Sequence, residues 1–176
     1  MASRSLRVET EGARPLKVLR VLARLNIGGP ARHAVVLDEG LRRRGFEGLL
    51  AHGSPEPGEG SLEGLAAERS IRRVHIRGLG RQIRPWRDLL ALVQITRLMF
   101  SESPDVVHTH TAKAGTVGRL AALAYNATRS RRRRCLVVHT FHGNVFSGYF
   151  GRSGSATVRL VERLLAGVTD KIVTVS

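Results

Sequence analysis

The sequence predicts a doubly wound α/β domain, in which a parallel sheet of about six strands carries helices on both faces. Short apolar runs typical of buried strands alternate along the chain with segments whose apolar residues recur at helical spacing. Parallel neighbours need crossover connections, and the helical segments between the apolar runs supply them. With 176 residues, the chain is long enough for one such domain with a sizeable core.

Each predicted strand is a short apolar run bounded by polar or glycine-rich turns. The predicted strands are 17–25, 46–52, 73–77, 106–110, 135–140 and 171–175.

The predicted helices begin and end at recognisable signals. Pro85 suits a first helical turn, Ser61 suits an N-cap, and Gly45 suits the position just past a helix C-terminus. The predicted helices are 31–44, a short one opening at 61–64, a long one from 85, then about 114–125 and 156–166.

Composition limits the class of protein and its partners. The net charge of +15, almost all from arginine, favours an anionic partner, although a general arginine bias explains it equally well. Cys135 is the only cysteine, which excludes a disulfide framework, and its apolar strand predicts a buried thiol. We find no secretory signal and no apolar run of membrane-spanning length. The protein is therefore expected to be cytoplasmic, with peripheral contact to the inner face of the cell membrane as a further option.

Three polar turns follow predicted strands, at 26–30, 108–115 and 140–143. The carboxyl ends of parallel strands meet at one edge of an open sheet, where ligands of such folds bind. The three turns should therefore form one site.

In the first turn, Gly28 and Gly29 would let a phosphate or sugar approach the backbone at a helix N-terminus. The spacing matches neither G-x-G-x-x-G nor a P-loop, and a simple turn is an alternative interpretation. His33, one turn into the helix, would face the same cleft or the solvent.

In the second turn, Lys113 and Gly115 stand at a helix start, where an ammonium group and a glycine favour an anion pocket. A solvated lysine is the alternative. Arg119 would add charge on that helix or face the solvent. His110 closes the strand before this turn.

His108, His110 and His142 raise the question of zinc, because two histidines two apart on a strand share a face. These turns hold no Asp, Glu or Cys ligand, so no metal is expected, and hydrogen bonding or acid–base work fits the imidazoles better. His108 and His139, farther back in their strands, are expected to be core residues whose ring nitrogens have hydrogen-bond partners.

The run 131–134 of four arginines is expected to be a solvated loop. Nucleic acid is not expected as a partner, since no aromatic residues are interleaved there.

Four motifs together resemble the N-terminal domain of family-four glycosyltransferases of the GT-B fold. They are Gly28-Gly29-Pro30, the segment 104–115, Thr140-Phe141-His142-Gly143 and the final segment 172–176, and the resemblance extends from Lys17 nearly to the end.

The resemblance implies two Rossmann-like domains facing across a cleft, the first holding mainly the acceptor and the second mainly a nucleotide-sugar. Transfer would retain the anomeric configuration without a bound metal or other cofactor. His142, followed by Gly143, matches the family's active-site histidine, and Gly28 and Gly29 match the loop that meets donor phosphate or acceptor. Lys113 and His110 would line the acceptor side.

The resemblance also sets expectations for the domain organisation. Residues 1–15 would be a flexible basic lead-in, and 16–176 the acceptor-side domain. The chain lacks the donor-side C-terminal domain that such enzymes carry, so by itself it should transfer little or no sugar. The partners implied are a nucleotide-sugar, a glycan or lipid-linked acceptor, the C-terminal domain in cis and an anionic membrane surface.

Two alternatives remain open on the sequence. One is a non-catalytic binding module for nucleic acid or a phosphorylated ligand, and the other is a different GT-B enzyme such as a sugar epimerase.

Overall fold

A computed structural model describes residues 14–142 and 160–175, and the fold is that of these two ranges. The strands are β1 (Lys17–Leu22), β2 (Glu47–His52), β3 (Arg73–His75), β4 (Val106–His110), β5 (Leu136–His142) and β6 (Lys171–Val175). They form one sheet in the order β3-β2-β1-β4-β5-β6, and every neighbouring pair is parallel. The predicted doubly wound fold is confirmed.

The helices lie between the strands, as crossover connections require. They are α1 (Gly29–Arg42), α2 (Glu63–Glu68), α3 (Pro85–Glu102) and α4 (Ala112–Ala127), with a 3-10 turn at Arg131–Arg133 and helical residues at 160–166.

Two apolar clusters lie on opposite faces of the sheet, because successive strand residues point to opposite sides. Leu19 and Val21 of β1 belong to the cluster under α3 and α4, whereas Leu22 belongs to the cluster under α1 and α2. Arg20 and Leu22 are in register with His108 and His110 of β4. The histidines of β4 therefore share the α1 side of the sheet.

Five strand ends differ from the sequence prediction: the C-terminal ends of β1 and β3, the N-terminal end of β2, which begins one residue late at Glu47, and both ends of β5. β1 and β3 are shorter than predicted because a strand lasts only as long as its neighbours. β1 stops at Leu22, where both neighbouring strands also end, at His52 and His110. β3 stops at His75 for the same reason. β5 begins one residue late but continues to His142, which pairs with Val175 of β6.

Helix boundaries also shift at both ends: α1 covers Gly29–Arg42 rather than 31–44, and α4 covers Ala112–Ala127 rather than about 114–125. α1 begins at Gly29 and takes Pro30 into its first turn, where a missing N–H costs nothing. α4 begins at Ala112, and the Gly115 N–H donates to the Thr111 carbonyl. Ser61 is not the N-cap of α2, which begins at Glu63, but its hydroxyl accepts the Glu63 N–H at 3.1 Å.

Aspartates hold the amino edge of the sheet together. The Asp105 carboxylate accepts hydrogen bonds from the Arg14 guanidinium at 2.6 and 2.8 Å and from the Lys17 N–H at 2.8 Å. Asp170 accepts the Val137 N–H at 2.7 Å. These carboxylates satisfy backbone donors at the starts of strands.

Cys135 is buried, as predicted, and burial raises the pKa of its thiol to about 11.

Of the predicted lead-in 1–15, the structure describes only the last two residues. No helix in the described ranges is both long enough and apolar enough to span a bilayer.

Candidate functional site

A cavity of about 1080 Å³ opens at the carboxyl edge of the sheet, where the three polar turns were expected to meet. Gly28, Lys113 and His142, one from each turn, all line it, so the predicted convergence is confirmed. The lining also includes Asn26, Pro30, Thr111, Ala112 and residues of the loops before α2 and α3.

The N-terminus of α1 reaches this cavity without a cap. Gly28 is the N-cap residue in an extended conformation, and no side chain among the described residues caps the helix. A Cβ placed on Gly29 would meet nothing within 4 Å. Neither internal packing nor backbone conformation requires glycine here, which leaves room for a ligand to approach the helix N-terminus.

The N-terminus of α4 reaches the same cavity in a strained conformation. Its N-cap, Thr111, has φ 67° and ψ 158°, a region that residues other than glycine rarely adopt. The Thr111 hydroxyl is buried without a hydrogen-bond partner among the described residues. Sequence reasoning missed Thr111, and a threonine in that turn gives no signal of its backbone conformation.

Three imidazoles from three different elements meet beside the cavity. His33 comes from the second turn of α1, His110 from the end of β4 and His142 from the end of β5. One ligand nitrogen of each lies within 4.8 Å of the other two, and His110 Nδ1 lies 3.0 Å from His142 Nε2. Of the described residues, these three are the group arranged to hold a metal ion.

Burial keeps these imidazoles neutral at pH 7. Burial and the nearby Arg20 guanidinium lower the pKa of His108 to about 3. Burial, with smaller contributions from neighbouring imidazoles, also lowers the pKa of His110. Burial and the nearby Arg20 guanidinium lower the pKa of His33. Burial and the neighbouring His33 lower the pKa of His142. Neutral imidazoles both donate and accept hydrogen bonds, the behaviour needed to contact sugar hydroxyls.

His108 and His139 are core residues, as predicted. His108 Nε2 lies 2.7 Å from the Thr140 hydroxyl, and His139 Nδ1 lies 2.8 Å from the Thr109 hydroxyl. The sequence grouped His108 with His110 and His142, but the structure places His33 in the third position. In the fold, the His33 ring lies 5.8 Å from the His110 ring and 5.1 Å from the His142 ring, a proximity that spacing along the chain does not reveal.

Lys113 lines the cavity, but its charge is not free. Its ammonium group pairs with Asp88 at 2.6 Å and donates to the Gln82 carbonyl. The sequence predicted an anion pocket at Lys113, with a solvated lysine as the alternative, and gave no sign of an acidic partner. In the structure α3 supplies Asp88, which offsets the cost of a cation at a helix N-terminus.

Gly115 and Arg119 do not line the cavity. A Cβ on Gly115 would lie 2.5 Å from His139 Cε1, so this glycine lets α4 pack closely on the sheet. Arg119 is fully buried and forms a two-point pair with Glu162 at 2.7 and 2.8 Å, with its Nε on the Gly115 carbonyl. Both positions correct the expectation of ligand contact, because Gly115 faces His139 of β5 and Arg119 faces Glu162.

Gly143, the remaining predicted site residue, lies outside the described residues. The arginine run 131–134 is exposed, as predicted, and adjoins the amino edge of the sheet. It lies at the opposite end of the strands from the cavity.

Comparison with known sequences identifies the family. Residues 27–176 match the sequence profile of Glycosyltransferase Family 4. The chain belongs to this family. The resemblance inferred from the four motifs is thereby confirmed, and the family 4 match includes the turns 108–115 and 140–143 and all of the turn 26–30 except Asn26.

A curated relative of this family 4 chain is the UDP-Gal:alpha-D-GlcNAc-diphosphoundecaprenol alpha-1,3-galactosyltransferase of Escherichia coli. It is 32% identical over 104 residues, which cover 59% of this chain and 25% of the relative.

Solved structures share the fold at low sequence identity. A UDP-N-acetylglucosamine 2-epimerase superposes with a TM-score of 0.60 and 16% identity, over 90% of this chain and 41% of the epimerase. MurG of Acinetobacter baumannii superposes with a TM-score of 0.59 and 18% identity, over 91% of this chain and 41% of MurG. These similarities show the Rossmann-like architecture of half a GT-B fold. The family 4 chain thus spans a quarter of its curated relative and about two fifths of these structures.

Proposed function

We propose that this chain is the N-terminal, acceptor-side part of a retaining glycosyltransferase that moves a sugar from a nucleotide-sugar to a lipid-linked or polysaccharide acceptor. The observation that carries the proposal is the cavity of a family 4 chain in which two uncapped helix N-termini and His142 meet. The name of the Escherichia coli relative, a galactosyltransferase with a nucleotide-sugar donor and a lipid-linked acceptor, is consistent with both substrate classes.

The helix N-termini suit the phosphates of the donor. Backbone N–H groups at the start of α1 and α4 carry the positive end of each helix dipole toward the cavity. No acidic residue lies in the first turn of either helix. Gly28 and Gly29 would let phosphate oxygens come within hydrogen-bonding distance of these groups.

His142 suits a contact with the transferred sugar. It is half-buried at the cavity wall and neutral, so it can exchange hydrogen bonds with a sugar hydroxyl. The anomeric carbon would exchange its bond to the diphosphate for a bond to the acceptor oxygen on the same face, and the acceptor hydroxyl would pass its proton to the departing diphosphate oxygen. The transfer needs no metal in this proposal, because helix N-termini and basic groups of a second domain would neutralise the leaving diphosphate.

Lys113 suits the acceptor side. The ammonium group forms an ion pair with Asp88 and donates one hydrogen bond to the Gln82 carbonyl, and these contacts hold it in place. A remaining N–H donor would reach an acceptor hydroxyl. His110, fully buried against His142, would fix the orientation of that ring.

The proposal places donor binding mainly in a second domain that follows in cis. The test is to express the chain together with the sequence that follows it in the gene and to screen it against a panel of nucleotide-sugars. His142→Ala should reduce kcat by about 100-fold or more. His75→Ala is the control, because this imidazole contacts the Ser54 hydroxyl and does not line the cavity, and it should have little effect. Sugar transfer by the 176-residue chain alone would contradict the proposal that donor binding lies mainly in a second domain. Epimerised donor, or binding without transfer, would favour the alternative functions.

We further propose that the protein docks on an anionic membrane face beside the cavity. Ile83 and Trp86 are 73% and 82% exposed at the start of α3, and the exposed Arg84 and Arg87 flank them. Tryptophan beside arginine suits an anionic lipid interface. Ile83 also lines the cavity, so docking there would bring a lipid-linked acceptor close to the site.

Sedimentation with liposomes tests this docking. The chain should sediment with anionic vesicles and not with neutral ones, and Trp86→Ala should weaken the association. Leu136→Ala, an exposed apolar residue at the opposite edge, is the matched control and should not. Equal association with neutral vesicles would contradict the proposal.

A further inference from the structure

We propose that His33, His110 and His142 bind a divalent transition-metal ion of the zinc type. This goes beyond the proposed sugar transfer, which needs no metal. The three residues lie far apart in the sequence, and the fold alone brings them together.

The spacing of the nitrogen atoms suits coordination. One nitrogen from each ring lies within 4.8 Å of the other two, and the closest contact, from His110 Nδ1 to His142 Nε2, is 3.0 Å. Nitrogen ligands of tetrahedral Zn²⁺, each about 2.0–2.1 Å from the ion, are about 3.4 Å apart. Small side-chain rotations would bring the three rings to this spacing.

Two buried nitrogens of the cluster have no partner in the described part of the chain. They are His110 Nε2, on a fully buried side chain, and His33 Nδ1. Buried polar atoms are nearly always satisfied, and each exception calls for an explanation. The hydrogen bond between His110 and His142 uses only one nitrogen of each ring. The unpartnered nitrogens of His110 and His33 therefore remain available to bind an ion.

The ligand chemistry selects the class of ion. Imidazole suits Zn²⁺, Cu²⁺ and Ni²⁺, whereas Mg²⁺ and Ca²⁺ prefer oxygen ligands, which this cluster lacks. Three histidines leave a fourth coordination position open. His33 and His142 are half-exposed, so an ion can enter from the solvent side, and His110 forms the buried floor of the site.

The position of the site has a consequence for the sugar. Because His142 lines the cavity, a bound ion would lie where the transferred sugar is proposed to sit, and the two would compete. This consequence rests on the proposed function, but metal binding itself does not.

Direct metal titration tests the proposal without any nucleotide-sugar. The tag-free 176-residue chain is titrated with Zn²⁺ alone against a chromophoric chelator. One ion should bind per chain, Mg²⁺ should not compete, and Co²⁺ in place of Zn²⁺ should give the visible absorption of a nitrogen-ligated site.

Variants locate the site. His33→Ala and His142→Ala should each weaken Zn²⁺ binding by about tenfold to 100-fold or more, since the loss of a residue that merely orients a metal ligand already costs this much. His75→Ala is the matched control, because His75 pairs with the Ser54 hydroxyl outside the cluster, and its affinity should be unchanged. Far-UV circular dichroism and thermal melting confirm that each variant is folded.

No saturable binding by the folded chain, or loss of binding in His75→Ala instead of the cluster variants, would overturn the proposal. Since no donor or acceptor is present in this experiment, sugar transfer and metal binding can fail independently of each other.

Discussion

The two edges of the sheet differ in whether their polar side chains have hydrogen-bond partners. At the amino edge, Asp105 accepts three hydrogen bonds, from Arg14 and the Lys17 backbone, and Asp170 accepts one from the Val137 backbone. At the carboxyl edge, His110 Nε2, His33 Nδ1 and the Thr111 hydroxyl are buried with no partner among the described residues.

This difference separates groups that stabilise the fold from groups that are available to a ligand. A paired polar group at the amino edge contributes to the free energy of unfolding, and its removal leaves a backbone donor unsatisfied. A buried group without a partner at the carboxyl edge does not stabilise the fold, because the free-energy cost of removing it from water is not compensated. Its substitution should therefore not lower the free energy of unfolding, and should change ligand binding instead. Substitutions at single positions test this distinction, and the largest change in stability is expected at Arg119.

Arg119 belongs to the helix after a carboxyl-edge turn, yet its guanidinium group is engaged within the fold: Nη2 pairs with Glu162 and Nε with the Gly115 carbonyl. Arg119→Met should lower the free energy of unfolding by about 3–5 kcal/mol, since it leaves the Glu162 carboxylate buried and uncompensated. Urea denaturation measures the change. Adding Glu162→Leu should recover most of the loss, because an apolar pair replaces the ion pair. A loss below about 1 kcal/mol in the single variant would show that the pair is not structural.

Asp105→Ala tests the amino edge directly. The free energy of unfolding should fall by about 2 kcal/mol, because charge-assisted hydrogen bonds to backbone and guanidinium donors are lost. Glu102→Ala at the same edge is the control: its pair with the exposed Arg72 should contribute less than about 1 kcal/mol. Zn²⁺ affinity should be unchanged in both variants. Equal losses of stability would contradict a special role for Asp105.

The same carboxylate predicts a pH dependence. Burial by itself would raise the pKa of Asp105, but hydrogen bonds from Arg14 and the Lys17 backbone outweigh it and lower the pKa below its usual value. Its contribution to stability is therefore complete above the unfolded pKa of about 3.9 and is lost as the pH falls through the folded pKa. The stability difference between the wild type and Asp105→Ala should be constant from about pH 7 to pH 5 and shrink below about pH 4. A difference that grows with acidity would contradict this assignment.

The order of strands and helices could be predicted from the sequence, because apolar runs and helical periodicity are local signals. The convergence of Gly28, Lys113 and His142 followed from one rule, that parallel strands end at the same edge of a sheet. Asp105 stood directly before a predicted strand, so its role at the start of that strand also had a signal in the sequence.

Contacts between distant elements could not be predicted. The Arg119–Glu162 pair joins residues 43 apart, and Asp88 reaches Lys113 from a different helix. The place of His33 in the imidazole cluster depends on how α1 crosses the sheet. The positive φ of Thr111, between β4 and α4, also has no signal in the sequence.

Thr111→Gly should raise the free energy of unfolding by about 1 kcal/mol. The relief of about 1–3 kcal/mol of backbone strain exceeds the entropic cost of glycine. Thr116→Gly is the matched control, the same chemical change inside α4 at ordinary helical geometry, and it should lower stability by about 1 kcal/mol. Thermal melting gives the sign of both changes. A loss of stability in Thr111→Gly would show that the strained conformation is not costly.

Gly29→Ala should give the smallest change in the free energy of unfolding. It is therefore the clearest test of whether a residue at the carboxyl edge acts in ligand binding rather than in stability. A Cβ at Gly29 or at Gly64 of α2 would meet nothing within 4 Å, so both Gly→Ala changes should alter the free energy of unfolding by less than about 1 kcal/mol. In the protein extended through its second domain, only Gly29→Ala should weaken binding of the nucleotide-sugar, because its methyl group would occupy the space through which phosphate approaches the N-terminus of α1. Calorimetric titration of both variants with the donor measures the difference. Equal affinities would mean that the glycine pair is only a turn, and that the carboxyl edge binds the donor through other groups.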